Sequence, residues 1–94
     1  MRKRIVQCLD VEFLRDMALA AAEGLSMRRV FFAVARIEIG ILSDASEEPV
    51  GLTEDGTPIF SFPIEKGWAI LFEVKVIAKG AAEVIRLRSL CACR

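Results

Sequence analysis

A chain of 94 residues with an apolar fraction of 54% and a charged fraction of 28% can bury one small core without metal or disulfide support, which excludes a disordered chain and a coiled coil. Lysine plus arginine and aspartate plus glutamate balance at 13 each, and a neutral chain is a poor general nucleic-acid binder, because phosphate neutralisation supplies most of that affinity. No apolar run approaches the roughly 20 residues of a membrane span, and the basic start MRKR leads into a short mixed segment rather than a secretory signal, so a single cytosolic domain with no membrane partner is expected.

In chain order, Arg4 to Leu9 alternates as a short strand that Asp10 stops. Asp10 is suited to cap the helix that follows, since its carboxylate accepts free first-turn amides, and Glu12 adds favourable charge at the positive end. The segment Val11 to Glu23 is read as a helix with Phe13, Met17, Ala21, Leu14, Ala18 and Val11 on its apolar stripe. Gly24 is placed to end it in a left-handed conformation.

Ser26 is a second capping candidate, and the run MRRVFFAVARIEIGIL after it reads two ways. As a helix over 27–42, it gathers Val30, Val34, Ile37 and Ile41 on one face with Phe31 and Ala33 nearby, and turns Arg29 and Arg36 to the other. As a strand, its second half alternates and its β-branched residues suit a sheet. The helix is favoured, because a helical hairpin would cover the apolar face of the sheet to come. Ser43 to Thr57 carries the Ser, Asp, Pro and Gly punctuation of an exposed loop, with a weak turn at Asp55-Gly56. Ile59 to Ile64 is a short strand whose Pro63 cannot donate to a ladder, and Glu65-Lys66-Gly67 turns the chain.

Gly67 to Leu90 is the dominant hairpin. Trp68, Ile70, Phe72, Val74 and Val76 alternate with Ala69, Leu71, Glu73 and Lys75, the period of a strand with one buried face. A two-residue turn at Lys79-Gly80 would set Glu73 opposite Arg86, Leu71 opposite Arg88, Val74 opposite Ile85 and Phe72 opposite Leu87. One face is then apolar and the other carries Glu73, Lys75, Arg86 and Arg88, the candidate partner-binding residues. Charge is also segregated along the chain. Asp44, Glu47, Glu48, Glu54, Asp55 and Glu65 precede any base in their stretch, whereas bases dominate from Lys66 onward.

Cys8, Cys91 and Cys93 are odd in number and fit a reducing compartment. Cys8, Cys91 and Cys93 are three thiolates that could hold Zn²⁺, but a CxC pair without a second paired motif or any His is a weak zinc signal, so the thiols are read as small hydrophobes and no metal or cofactor is expected. The aromatics share the periodicity of the aliphatics and are read as core. No phosphate-binding glycine loop, Ser/His pair or helical carboxylate pair is present, and no catalytic residue is assigned.

The order is strand, two helices, acidic loop and three antiparallel strands. It resembles the RelE/ParE superfamily of small toxins from bacterial toxin-antitoxin modules, with VEFLRDMALAAAEGLSMRRVFFAVARI similar to the family's helical hairpin and IFSF, GWAILFEV and EVIRLRSL similar to its last three strands. The resemblance implies an α+β fold, a helical hairpin on one face of a small antiparallel sheet, an antitoxin peptide as partner, and a protein or ribosomal target. The family usually carries Arg after the aromatic where Ala69 follows Trp68, and a base where Ser61 to Pro63 stand. Its RNA-cleaving members use Arg, Lys, His or Tyr on the ribose 2′-hydroxyl, but this chain has no His and no Tyr. A binding mode of action is therefore expected. The other expected class is a non-catalytic interaction module, a homodimer formed through the same strand or an exposed helix face.

Overall fold

The computed structural model describes residues 3–7, 11–39, 48–65, 67–77 and 82–92, with side chains from residue 11 onward except that of Ile77. Seven elements follow in order: β1 (Lys3–Gln7), α1 (Val11–Ala22), α2 (Met27–Ile39), β2 (Gly51–Leu52), β3 (Pro58–Pro63), β4 (Trp68–Ile77) and β5 (Ala82–Ala92). The class is α+β, as the patterning predicts. The strands form one sheet in the order β1-β5-β4-β3-β2. From β2 to β5 the pairing is antiparallel, while β1 joins β5 in parallel, Ile5 beside Val84. A parallel neighbour requires a crossover rather than a hairpin, and the helices belong to the chain that runs between the two strands.

Phe72, Ile70, Ile85 and Leu87 are fully buried on the central strands, and Phe13, Val30 and Ile37 come down onto them from the helices. Each such side chain stabilises the fold by about 1.5 to 3 kcal/mol through its removal from water. Phe60 stacks beside Phe72 with ring centroids 5.9 Å apart. α1 lies over β5, and α2 approaches β1. The Asp16 carboxylate accepts the Leu90 N–H at 3.1 Å, so the helix satisfies a strand donor beyond the last β1 pair, Gln7 with Arg86.

Helix α1 closes as its glycine predicts. Gly24 has φ +96°, its N–H reaches the Ala21 carbonyl and the Leu25 N–H reaches that of Ala20, the paired bonds of a Schellman ending, with Leu25 buried beside Ala20. The stripe, however, is rotated from expectation. Phe13 and Ala20 are buried and Met17 packs with them, but Val11, Leu14, Ala18 and Ala21 are exposed. A helix that is apolar on nearly every side gives no period from which to choose its buried face. Residues 34–39 are helical, so packing overrides the β-branched preference there. The expected Asp10 cap, the Lys79-Gly80 turn, residues 40–42 of the second helix, Cys8 and Cys93 lie outside the described residues.

Two further differences bear on the site. The stretch read wholly as loop contains β2, which pairs Gly51 with Ile59 and Leu52 with Pro58. The hairpin register holds at Glu73–Arg86, Val74–Ile85 and Phe72–Leu87, but Leu71 faces Ser89 rather than Arg88. Arg88 is the extra residue of a β-bulge, which lets Ile85, Leu87 and then Leu90 point inward.

Candidate functional site

The face of the sheet away from the helices collects the charged residues singled out above. Glu73 sits on β4 between neighbours, its carboxylate side chain only 12% exposed. Arg88 Nη1 donates to Glu73 Oε2 at 3.0 Å, and Arg86 Nη1 lies 3.8 Å from the same oxygen. Arg86 and Arg88 are two residues apart on β5 and share its outward face, as they would in an unbroken strand; the bulge displaces Arg88 from Leu71 and reverses the phase of Ser89 and Leu90 after it. Two cations thus share a single carboxylate, and both keep substantial contact with solvent.

The opposite wall is the turn between β2 and β3, whose part in the site the patterning does not reveal. Thr53 N–H donates to the Thr57 carbonyl at 2.9 Å and Gly56 N–H to the Thr53 carbonyl at 3.0 Å, with Gly56 at φ +85°. This is a three-residue hairpin loop closed by a left-handed glycine. The Asp55 carboxylate accepts the hydroxyls of Thr53 and Thr57 and the Thr57 N–H, and Lys75 Nζ approaches it at 4.0 Å. The motif Thr-x-Asp-Gly-Thr was the available signal, because an aspartate flanked by threonines in a glycine turn bonds its own backbone.

Those hydrogen bonds to Thr53 and Thr57, with a smaller contribution from Lys75, lower the Asp55 pKa from 3.8 to about 2. A carboxylate whose folded value is depressed contributes stability that is complete above the unfolded value of 3.8 and lost as pH falls through about 2. The Asp55 carboxyl carbon should titrate in NMR with a midpoint near 2, and Thr53→Val with Thr57→Val should return it toward 3.8. A wild-type midpoint at the unfolded value contradicts the turn geometry.

Between the walls lies an open depression of about 510 Å³ lined by Leu52, Thr53, Glu54, Asp55, Ile59, Glu73, Arg86 and Arg88. Three of the four expected partner-binding residues line it; Lys75 stands at its border, held toward Asp55. One wall is acidic, the other basic, and Arg86, Arg88 and Lys75 are balanced by Glu54, Asp55 and Glu73.

No family model, curated protein or solved structure matches this chain. The reading of the site therefore rests on its own chemistry. Among the described residues, no group of three His, Cys, Asp or Glu side chains is placed to hold a metal ion. Cys91 is a half-buried cysteine on β5. No helix among the described residues is long and apolar enough to cross a membrane. What the depression can do is recognise charge: two guanidiniums present planar arrays of donors, and a fixed carboxylate opposite sets a polarity across the groove.

Proposed function

We propose that the chain is a RelE/ParE-like, toxin-type protein of a bacterial toxin-antitoxin module that acts by gripping a protein target. The observation that carries this reading is the convergence of Arg86 and Arg88 on Glu73 in an open depression on the helix-free face of the sheet. Both guanidiniums stay in contact with solvent, 55% and 40% exposed, so an acidic group of a partner can reach them, which the bidentate geometry of guanidinium suits. The acidic wall of Glu54 and Asp55 opposes a polyanion: each phosphate that approached the arginines would also meet these carboxylates. A protein segment bearing both charge signs satisfies both walls, and RNA does not. An antitoxin peptide covers this face in the resting state. The order of strand, helical hairpin and antiparallel strands supports the same reading.

Induced expression in a bacterial host tests it. Wild-type protein arrests growth while cellular RNA remains uncut, and Arg86→Ala with Arg88→Ala restores growth with the helical content of the purified protein unchanged. Harmless expression of folded wild-type protein contradicts the proposal.

A further inference from the structure

A second depression opens on the helix side of the sheet, between the later turns of α1 and the ends of β4 and β5. It holds about 420 Å³, a volume in the range of small-molecule sites, and is lined by Asp16, Leu19, Ala22 and Glu23 from α1 and its end and by Trp68 and Leu90 from the strands. Leu90 belongs to the buried core and Trp68 packs against it, so the apolar wall is the margin of the hydrophobic interior itself.

The charge here has one sign. Asp16 and Glu23 are seven residues apart, and the Glu23 N–H donates to the Leu19 carbonyl at 3.1 Å, so the helical spiral still governs its position. Two turns return such a pair to one side of the helix, about 10 Å apart along the axis, with Leu19 between them. A carboxylate thus stands at each end of an apolar strip. Asp16 accepts the Leu90 N–H at 3.1 Å, which fixes its place and leaves its charge. Among the described residues no side chain pairs with Glu23 and no base lines the depression; the last turn of α1 has none, and its Arg15 is not part of the lining. The negative end of the α1 dipole adds to the same sign.

Two carboxylates at this spacing cannot share one metal ion, whose oxygen ligands lie about 2.0 to 2.6 Å from it. They suit a ligand with two cationic ends. Its hydrocarbon body is served as well, because Leu19, Ala22 and Trp68 offer methylenes an apolar surface, and an indole also attracts an ammonium group.

We infer that this depression binds a linear diammonium compound, an α,ω-diamine or polyamine, with one ammonium at Asp16, the other at Glu23 and the methylene chain laid across Leu19 and Trp68. Arg86 and Arg88 lie on the opposite face of the sheet, so the site is independent of the function proposed for that face.

Trp68 is the one tryptophan of a chain without tyrosine, so its emission reports on this wall alone. Titration with 1,6-diaminohexane, at an ionic strength held constant with sodium chloride, gives a saturable change in that emission, matched by calorimetry. Hexylamine, which keeps the chain and one ammonium, binds about fivefold more weakly, and Glu23→Gln weakens diamine binding by a similar factor, as loss of one exposed ion pair should. Asp16→Asn retains an acceptor for the Leu90 N–H and tests the other end in the same way. Arg86→Ala with Arg88→Ala leaves binding unchanged. A diamine that moves neither emission nor heat, hexylamine that binds as tightly, or folded Glu23→Gln that binds the diamine like the wild type overturns the inference.

Discussion

Phe72→Ala should lower stability by about 4 kcal/mol and the melting temperature by roughly 15 °C or more. The ring is fully buried at the centre of β4, facing the helices and stacked against Phe60. Its removal forfeits the transfer free energy of the side chain, and the gap remains, because the neighbours Ile70, Ile85 and Leu87 are held in the ladder. A 94-residue domain has about 5 to 14 kcal/mol in total, so the variant should be close to unfolding at 37 °C. Chemical denaturation with an unchanged m-value is the check. A loss under about 1 kcal/mol means that the sheet face carrying Phe72 is not the buried one. Leu71→Ala, on the opposite face and only half-buried, should cost clearly less.

Glu73→Ala should cost about 1.5 kcal/mol, the lower end for charge-assisted hydrogen bonds. Glu73 is nearly buried, but its partners Arg86 and Arg88 are 55% and 40% exposed. Water takes over part of the lost interaction, which is why the upper end does not apply. The freed guanidiniums then draw solvent anions. Sulfate should raise the melting temperature of Glu73→Ala more than that of the wild type, and Arg86→Ala with Arg88→Ala in the same background should abolish the difference. Equal melting of Glu73→Ala and wild type, with no sulfate effect, would mean that the carboxylate does not hold the arginines.

The strands and helices are legible in the sequence wherever period and punctuation agree. The alternation from Trp68 to Val76 reports its own buried face, and Gly24 and Gly67 supply the positive φ values of +96° and +80° that a helix end and the β3–β4 turn need. The Glu73–Arg86 pairing follows from the same alternation. What is not legible has identifiable causes. A bulge adds one residue without a composition signal, so Arg88 is displaced from Leu71 although every pair nearer the turn is as expected. β2 is two residues long, too short for any period, yet it folds the Asp55 turn against the arginines and so builds half of the depression. The side of α1 that is buried depends on the partner surface alone, since apolar residues surround it. Phe31 and Phe32 share the aliphatic periodicity that predicts core, yet each is 60% exposed, because periodicity marks an apolar residue without fixing which side of an apolar helix is buried.

The central claim, that the sheet face bearing Arg86 and Arg88 is gripped by a protein, is tested most directly by photo-cross-linking in growth-arrested cells. A photoreactive residue at Leu52, 66% exposed beside the depression, reports on what occupies that face. A discrete protein adduct is predicted, absent when Arg86→Ala and Arg88→Ala are combined in the same chain. An adduct with RNA, or a protein adduct that persists without the two arginines, contradicts the claim.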